Sequence, residues 1–333
     1  MRHGRPNVLV TSAGRRGELI EILRQSFAAG GRRASVFTAD ASALSAAGLV
    51  GDGHHVVPRL DDPTYLDVLT RLCDELDVGH VVPTIDTELP LMASAVRHLD
   101  NQGTRVWVSG PETIALAQDK RLTNRFLAEH GLPHARQWDL DSLDDFHSLS
   151  FPVIAKPARG SSSVGLARVT SSDALSQLRT ERGGQDYVVE SVARGTEYTV
   201  DVLVDRLGTC RASIPRKRLE VRAGEVSKGV TVDRPDLAAL AREVVTKLPD
   251  AFGVLNVQIF ADATGPSAVI EVNARFGGGF PLTYRAGADL PGWLAQDIDL
   301  VPPTASLQWA AGLVMLRYDR AVFASADDLG VQT

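Results

Sequence analysis

Apolar residues in the first hundred positions follow two alternating patterns. Short continuous apolar runs are typical of strands that are buried on both faces. They occur at residues 7–11, 34–38, 80–83 and 105–108. Between them, apolar side chains recur at helical spacing after Gly17 and again over residues 65–76 and 89–99. Strands that alternate with helices predict a parallel α/β sheet with helices on both faces.

The pattern changes after Pro133. Two connecting helices are predicted before this point, one beginning near Pro111 and the other at Asp119 and Lys120. The segment from residue 151 to about residue 280 reads as β-hairpins with one helix over 236–248, and a final strand is predicted at 311–316. The second part of the chain is therefore expected to be α+β.

Composition narrows the classes of function. The 35 basic and 41 acidic side chains leave a net charge of −6, which argues against nucleic acid or an anionic membrane as a partner. Two cysteines are too few for a disulfide framework or a Cys-based zinc site. No run reaches the roughly 18 apolar residues that a membrane span needs. We therefore expect a cytoplasmic protein that acts on small molecules, with a homodimer left open.

A candidate phosphate-binding loop follows the apolar strand that ends in Lys156 and Pro157. The next residues are small and rich in hydroxyls, and they include Ser161, Ser162 and Ser163. Small side chains let backbone N–H groups approach an anion, hydroxyls add donors, and lysine adds a point charge. A flexible Gly/Ser hairpin is the alternative, and the chain has no Walker A motif.

Two later strands place polar residues on one face. Glu271 and Asn273 are two positions apart in an otherwise apolar strand, and Gln258 reaches the same face from its neighbour. One carboxylate and two amide oxygens suit Mg²⁺, which takes its other ligands from water and nucleotide phosphates. Arg275, two positions further along, points the same way and suits the stabilisation of a transferring phosphoryl group.

The strand that ends in Glu190 is interpreted as an edge that binds a nucleotide. The backbone near Val192 and Ala193 is placed to contact adenine, and Glu197 is placed to accept both ribose hydroxyls. An ordinary hairpin with solvated carboxylates is the alternative.

Candidate substrate contacts fall in the amino-terminal part as well. The turn at 12–17 lacks the full dinucleotide-binding spacing, and Arg15 or Arg16 there is placed to meet an anionic substrate. Asp86 and Glu88 follow the carboxyl end of a strand, where open α/β sheets bind ligands, although a simple helix start explains them equally well.

Two further stretches point to substrate. Arg216, Arg218 and Arg222 alternate along an extended segment and suit a carboxylate or phosphate clamp, with a solvated strand face as the alternative. Gly278 and Gly279 follow Arg275 and allow backbone amides to approach an acyl phosphate. An irregular turn is the other interpretation of these glycines.

In combination these motifs resemble the ATP-grasp superfamily. The similarity is greatest to a single ATP-grasp unit of the carbamoyl phosphate synthase large subunit and to free-standing carboxylate–amine ligases. The motifs occur in the order Lys120, Lys156, Glu190, Glu197, Gln258 and 271–275. The resemblance implies a pre-ATP-grasp α/β domain at 1–110, connector helices with a small lobe at 111–185, and a large lobe at 186–333.

The resemblance also implies cofactors and roles. ATP and Mg²⁺, with Mn²⁺ as an alternative, are the expected cofactors. Lys120 and Lys156 would contact phosphates. Glu190 with Val192 and Ala193 would hold adenine, and Glu197 would hold ribose. The metal would be bound by Gln258, Glu271 and Asn273, and Arg275 would assist phosphoryl transfer. Arg216 and Arg218 are further catalytic candidates.

The chain differs from carbamoyl phosphate synthase, because it has one ATP-grasp unit where the synthase needs two, and it has no Cys/His glutaminase pattern. The expected activity is therefore that of a biosynthetic ATP-dependent ligase, which activates a carboxylate as an acyl phosphate, forms an amide with an amine, and releases ADP and phosphate. A carboxylate kinase and a non-catalytic ATP-binding module are the alternatives. The two substrates and the general base are not identified by these motifs.

Overall fold

The amino-terminal part forms the predicted parallel sheet. In the computed structural model, which describes residues 5–160, 164–183, 185–222, 224–262 and 266–331, its strands lie in the order β3-β2-β1-β4-β5. The elements are β1 (Asn7–Thr11), α1 (Gly17–Ala29), β2 (Val36–Asp40), β3 (His54–Val56), α2 (Tyr65–Glu75), β4 (Val78–Pro83), α3 (Leu89–Asp100) and β5 (Arg105–Val106). The strand order reverses between β1 and β4, so the loops after these two strands meet at one edge.

A four-stranded antiparallel sheet follows two connecting helices. The elements are α4 (Pro111–Gln118), α5 (Lys120–Glu129), β6 (Gln137–Asp139), β7 (Val153–Pro157), β8 (Ala167–Val169), α6 (Ser172–Arg182) and β9 (Tyr187–Ser191). The strands lie in the order β6-β9-β7-β8. Helix α6 was not predicted, because Leu175 is its one fully buried apolar residue and leaves little helical periodicity. Ser161, Ser162 and Ser163 lie outside the described residues.

The rest of the chain forms a six-stranded antiparallel sheet with three helices. Its elements are β10 (Thr196–Val204), β11 (Cys210–Arg222), β12 (Glu225–Thr231), α7 (Pro235–Lys247), β13 (Gly253–Ala261), β14 (Ala268–Asn273), α8 (Phe280–Arg285), α9 (Leu290–Ile298) and β15 (Val314–Leu316). The strand order is β14-β13-β10-β11-β12-β15. Helix α7 confirms the predicted helix, whereas α8 and α9 were not predicted. Within the described ranges, no helix is long and apolar enough to cross a bilayer.

The two faces of this larger sheet differ in polarity. On one face Val200, Leu255 and Val257 are fully buried, in the same apolar core as Leu237 and Val244 of α7. The opposite face is polar in its middle and apolar at one end, where Leu203 and Val254 share a core with residues of the amino-terminal domain. The apolar end fixes the sheet against that domain and leaves the polar middle beside the loops after β1 and β4.

Trp107 anchors this contact between the domains. Its ring lies 6.5 Å from that of Phe27 and 6.3 Å from that of Phe276, centroid to centroid. Its indole Nε1 donates a hydrogen bond to His80 Nδ1 at 3.2 Å. Because an indole N–H can only donate, the other ring nitrogen of His80 carries the proton, and it lies 3.3 Å from Asp299 Oδ2.

Trp107→Ala is expected to destabilise the protein by about 3–5 kcal/mol, because a large buried ring is lost and His80 loses its donor. Trp107 is 4% exposed, whereas Phe323 is 91% exposed, so Phe323→Ala is the matched control and should change stability little. Unfolding in urea, followed by circular dichroism, measures both variants. Equal stability of the two variants would contradict the anchoring role.

Candidate active site

Cross-strand register places the predicted metal ligands together. Gln258 lies opposite Glu271, and Asn256 lies opposite Asn273, on the paired strands β13 and β14. Thr199 of β10 lies opposite Gln258, which extends the same surface to the next strand. Residues opposite each other in an antiparallel pair share a face. We call this surface the polar sheet face: Glu197, Thr199, Asp201, Arg216, Arg218, Asn256, Gln258, Glu271 and Asn273.

Glu271 carries the unusual charge on this face. Burial raises the pKa of its carboxyl, while the positive charges of Lys120, Lys156 and Arg275 pull the pKa down and Asp86 pushes it up. Within the described part of the chain, the Glu271 side chain makes no hydrogen bond and no ion pair. A desolvated carboxylate without a direct partner is costly unless a cation or a donor meets it.

The donor set on this face fits Mg²⁺. Glu271 supplies a carboxylate, and Gln258 and Asn273 supply amide oxygens from the same surface. Among the described residues no three His, Cys, Asp or Glu side chains converge on one point. That composition suits an ion that takes few carboxylates and keeps waters and phosphate oxygens as its other ligands.

Arg275 connects this face to the amino-terminal domain. Its Nε and Nη2 donate to the two carboxylate oxygens of Asp86, at 2.8 and 2.5 Å. Nη2 also lies 3.5 Å from Asn273 Oδ1, within hydrogen-bond reach. Asp86 begins the short 3₁₀ helix Asp86–Glu88 after β4. The structure therefore brings two predicted site residues from distant parts of the chain into one bidentate pair.

The two predicted phosphate lysines lie near each other and near Glu271. Lys156 Nζ forms a buried ion pair with Glu190 Oε2 at 2.6 Å, and Gln137 Nε2 donates to Glu190 Oε1 at 2.8 Å. Lys120 Nζ donates to the carbonyl of Gly160 at 2.8 Å, at the start of the predicted phosphate loop. Burial lowers the pKa of Lys120, and nearby Glu271 raises it. Both lysines therefore lie at the edge of the polar sheet face.

The residues of the predicted nucleotide edge differ in exposure. The Glu190 carboxylate is buried against Lys156, whereas Val192 is exposed and Ala193 is half-buried. Glu197 Oε1 accepts a hydrogen bond from Arg218 Nη1 at 2.6 Å. Burial raises the pKa of Glu197, and Arg218 opposes that rise.

Arg216 lies beneath the surface instead of on it. Its Nε and Nη2 donate to Asp201 at 2.7 and 2.9 Å, and both side chains are 1% exposed. Thr283 Oγ1 donates to the same carboxylate. The remaining Nη1 is buried without a partner among the described residues, and a Cβ on Gly279 would overlap the guanidinium. The glycine segment therefore packs directly on Arg216. Asp201 and Thr283 were not predicted, although the alternation along β10 was a usable signal for Asp201.

Three predicted substrate contacts lie apart from this surface. Glu88 is fully buried and accepts from the backbone N–H groups of Thr84 and Ile85, so it supports its loop from below. Arg15 is exposed. Arg222 lies at the exposed end of β11, 3.6 Å from Asp319.

A second charged group lies beside the glycine segment, and of its members only Arg16 was predicted, as the alternative to Arg15. Arg16 Nη1 is 3.8 Å from Glu225 Oε1, and Arg317 Nη1 is 3.1 Å from Glu225 Oε2. A Cβ on Gly278 would lie 2.9 Å from the Glu225 carboxyl carbon. The prediction for Arg16 rested on its position in the first strand-to-helix turn. Nothing in the local sequence marked Glu225 or Arg317.

Models of known families match three parts of the chain. A PylC-like amino-terminal domain matches residues 8–107. A D-ala D-ala ligase C-terminus matches residues 134–218, and an ATP-grasp in the biosynthetic pathway with Ter operon matches residues 184–318.

Sequence relatives and solved structures agree with these matches. The D-alanine–D-alanine ligase of Kineococcus radiotolerans is 30% identical over 258 residues, which are 64% of this chain and 69% of that protein. The chain belongs to the ATP-grasp family. N5-carboxyaminoimidazole synthetase from Staphylococcus aureus complexed with ADP shares the fold of this ATP-grasp protein, with a TM-score of 0.71, 17% identity and 91% and 80% of the two chains covered. L-amino acid ligase from Bacillus licheniformis also shares the fold, with a TM-score of 0.67 and 18% identity, and the match covers 89% of this chain and 75% of that chain.

These findings confirm the predicted class of this ATP-grasp protein. It is an ATP-dependent, ADP-forming carboxylate–amine ligase that uses ATP and Mg²⁺ and acts on small molecules. They lend no support to a carboxylate kinase or a non-catalytic module. The α/β and α+β fold class is also confirmed. The roles of individual site residues and the three domain boundaries stay predictions.

Glu88→Gln is expected to make stability less dependent on pH. Burial raises the pKa of Glu88 above that of the unfolded chain, about 4.3. The stability that this group contributes is therefore complete below that value and is lost as pH rises through the folded pKa. Glutamine does not ionise, so the free energy of unfolding of the variant should gain on that of the wild type from pH 4 to pH 8.

Urea denaturation at several pH values measures this difference. Glu129→Gln is the control, because Glu129 is exposed on α5 and its replacement should give a difference that does not vary with pH. A constant difference for Glu88→Gln would refute the assignment.

Proposed function

We propose that this ligase joins the carboxylate of one amino acid to the amine of another. Support comes from the 30% identity with a D-alanine–D-alanine ligase over most of that protein's length, and from the D-ala D-ala ligase model that matches 134–218. A solved L-amino acid ligase with the same fold is compatible with the proposal.

The placement of Glu271 is the observation that carries the assignment of the site. Its carboxylate is the one unpartnered charge on the described part of the polar sheet face, and it is surrounded by lysines and an arginine. Glu271, Gln258 and Asn273 would hold Mg²⁺, which would neutralise charge on the triphosphate. Lys120 and Lys156 would add positive charge at the same phosphates.

The reaction then needs positioning more than a protein nucleophile. A carboxylate oxygen of the first amino acid attacks the γ-phosphorus in line, and the bond to the β-phosphate oxygen breaks to give an acyl phosphate and ADP. The amine of the second amino acid attacks the acyl carbon, loses a proton and expels phosphate. Arg275, held by Asp86, would stabilise charge on the transferring group. Backbone amides at Gly278 and Gly279 would meet the acyl phosphate.

Further expectations from the sequence belong with this proposal. They are the domain boundaries at 1–110, 111–185 and 186–333, a cytoplasmic location and a homodimer. The first boundary is supported by the amino-terminal sheet, which contains β1 to β5 and is complete with β5 (Arg105–Val106).

Glu271→Gln is expected to lower ADP release at least 100-fold, because the amide keeps the size but removes the charge that meets the metal. A coupled ADP assay measures it. Glu243→Gln on the exposed face of α7 is the matched control and should retain the wild-type rate. Wild-type turnover by Glu271→Gln would overturn the metal assignment.

ADP release is expected to require both a free carboxylate and a free amine. D-alanine or L-alanine supplies both groups, whereas the N-acetylated amino acid supplies the carboxylate alone and should give little sustained ADP. Mass spectrometry of the products identifies the dipeptide. Sustained ADP release with the N-acetylated acid would instead indicate a carboxylate kinase.

A further inference from the structure

Glu225 lies where three parts of the molecule meet. It begins β12 at the end of the β11–β12 hairpin, and its carboxylate lies between Arg16 of the first strand-to-helix turn and Arg317 of the carboxyl-terminal segment. Arg317 Nη1 also donates to the carbonyl of Val226 at 3.5 Å. The arrangement holds one carboxylate between two arginines that are far apart in sequence.

Positive charge exceeds negative charge at this point. Burial raises the pKa of Glu225, but Arg16, Arg317 and the nearby Arg15 outweigh it and hold the pKa below its ordinary value. Burial lowers the pKa of Arg16, and repulsion from Arg275 and Arg317 adds to this. The charge of Asp86 is already taken by Arg275 in a bidentate pair. A second small anion would therefore be attracted to the same arginines.

Arg16 makes only long contacts, although its guanidinium is mostly shielded from water. Its side chain is 19% exposed, and its contacts in the described structure are long: 3.8 Å to Glu225 and 3.4 Å from Nη2 to the carbonyl of Thr84. Strong guanidinium–carboxylate hydrogen bonds are about 2.7–2.9 Å. The Glu225 carboxylate therefore leaves capacity at Arg16 for a closer oxygen.

The location of this cluster matches the position of an amine substrate. A Cβ on Gly278 would lie 2.9 Å from the Glu225 carboxyl carbon, so the carboxylate touches the glycine segment that follows Arg275. The proposed function places the acyl phosphate against that segment. An amino acid that attacks there keeps its own carboxylate, which does not react and is one carbon away from the attacking nitrogen.

We propose that Arg16 and Arg317 form the subsite for the free carboxylate of the amine substrate, and that the Glu225 carboxylate competes for the same two arginines. This inference rests on the proposed function. It gives the free carboxylate of the second amino acid a binding site. It also gives Glu225 a role in specificity, since a substrate carboxylate competes with it for Arg16 and Arg317.

A mixture of D-alanine and D-alaninamide tests the subsite. The amide has no free carboxylate, so it reacts only as the amine, and the ratio of dipeptide to dipeptide amide reports the preference directly. The wild type should favour dipeptide at least tenfold. Arg317→Gln should reduce this ratio at least fivefold, and Glu225→Gln should increase the use of D-alanine at low concentration. L-alanine with its amide is run in parallel.

Calorimetric titration of the same two probes with MgADP present gives a readout that does not need turnover. D-alanine should bind more tightly to Glu225→Gln than to the wild type, while the affinity for D-alaninamide should not change. Arg320→Gln is the control, because Arg320 lies on the same segment, is 72% exposed and pairs with Glu21 instead. Its product ratio and affinities should equal those of the wild type.

The outcomes separate the two proposals. Absence of ADP release with every amino acid contradicts the proposed function. ADP release with a product ratio near one, or an unchanged ratio in Arg317→Gln, contradicts the subsite alone. Titrations in which Glu225→Gln binds D-alanine no better than the wild type also overturn the subsite, whether or not turnover is seen.

Discussion

Desolvation of charge is the constraint on which the active site depends. Several charged side chains on and beside the polar sheet face are buried, so each of them needs a partner or costs several kcal/mol. Arg216 is matched by Asp201, and Lys156 is matched by Glu190, in pairs with nearly complete burial. Glu271 lacks such a direct partner among the described residues, although three cations surround it. Within the described part of the chain, Glu271 is therefore the carboxylate on this face whose charge no direct partner offsets.

The two arginines Arg216 and Arg275 differ in how their charge is neutralised. Arg216 is held by Asp201 and packs under the glycine segment, and both members of this pair are buried. Arg275 is also paired, but its partner Asp86 comes from the amino-terminal domain and the pair is partly exposed. Arg275 therefore links the end of β14 to the loop after β4, and the contact at Trp107 holds the two domains together beside this pair. The geometry of the polar sheet face thus depends on how the amino-terminal domain packs against the sheet.

Much of the fold was predictable because periodicity reports burial. The strands β1, β4, β13 and β14 and the helices α2 and α7 appear close to their predicted positions, since each has a clear apolar pattern. Helix α6 was missed because its sequence is mostly polar, and α8 and α9 because their apolar residues pack against distant segments. For the site, period two in β14 placed Glu271 and Asn273 on one face, and the register with β13 then added Gln258.

Contacts across the chain were not predictable in the same way. Asp201 and Arg216 are 15 positions apart, and Glu225 and Arg317 are 92 apart, so only the folded sheet shows which charges meet. The folded structure also separates alternatives that the sequence left open: Glu190 is a buried partner of Lys156, and of Arg15 and Arg16 it is Arg16 that pairs with Glu225. A charged residue on a strand predicts a polar face, but its function depends on whether another part of the fold has already neutralised it.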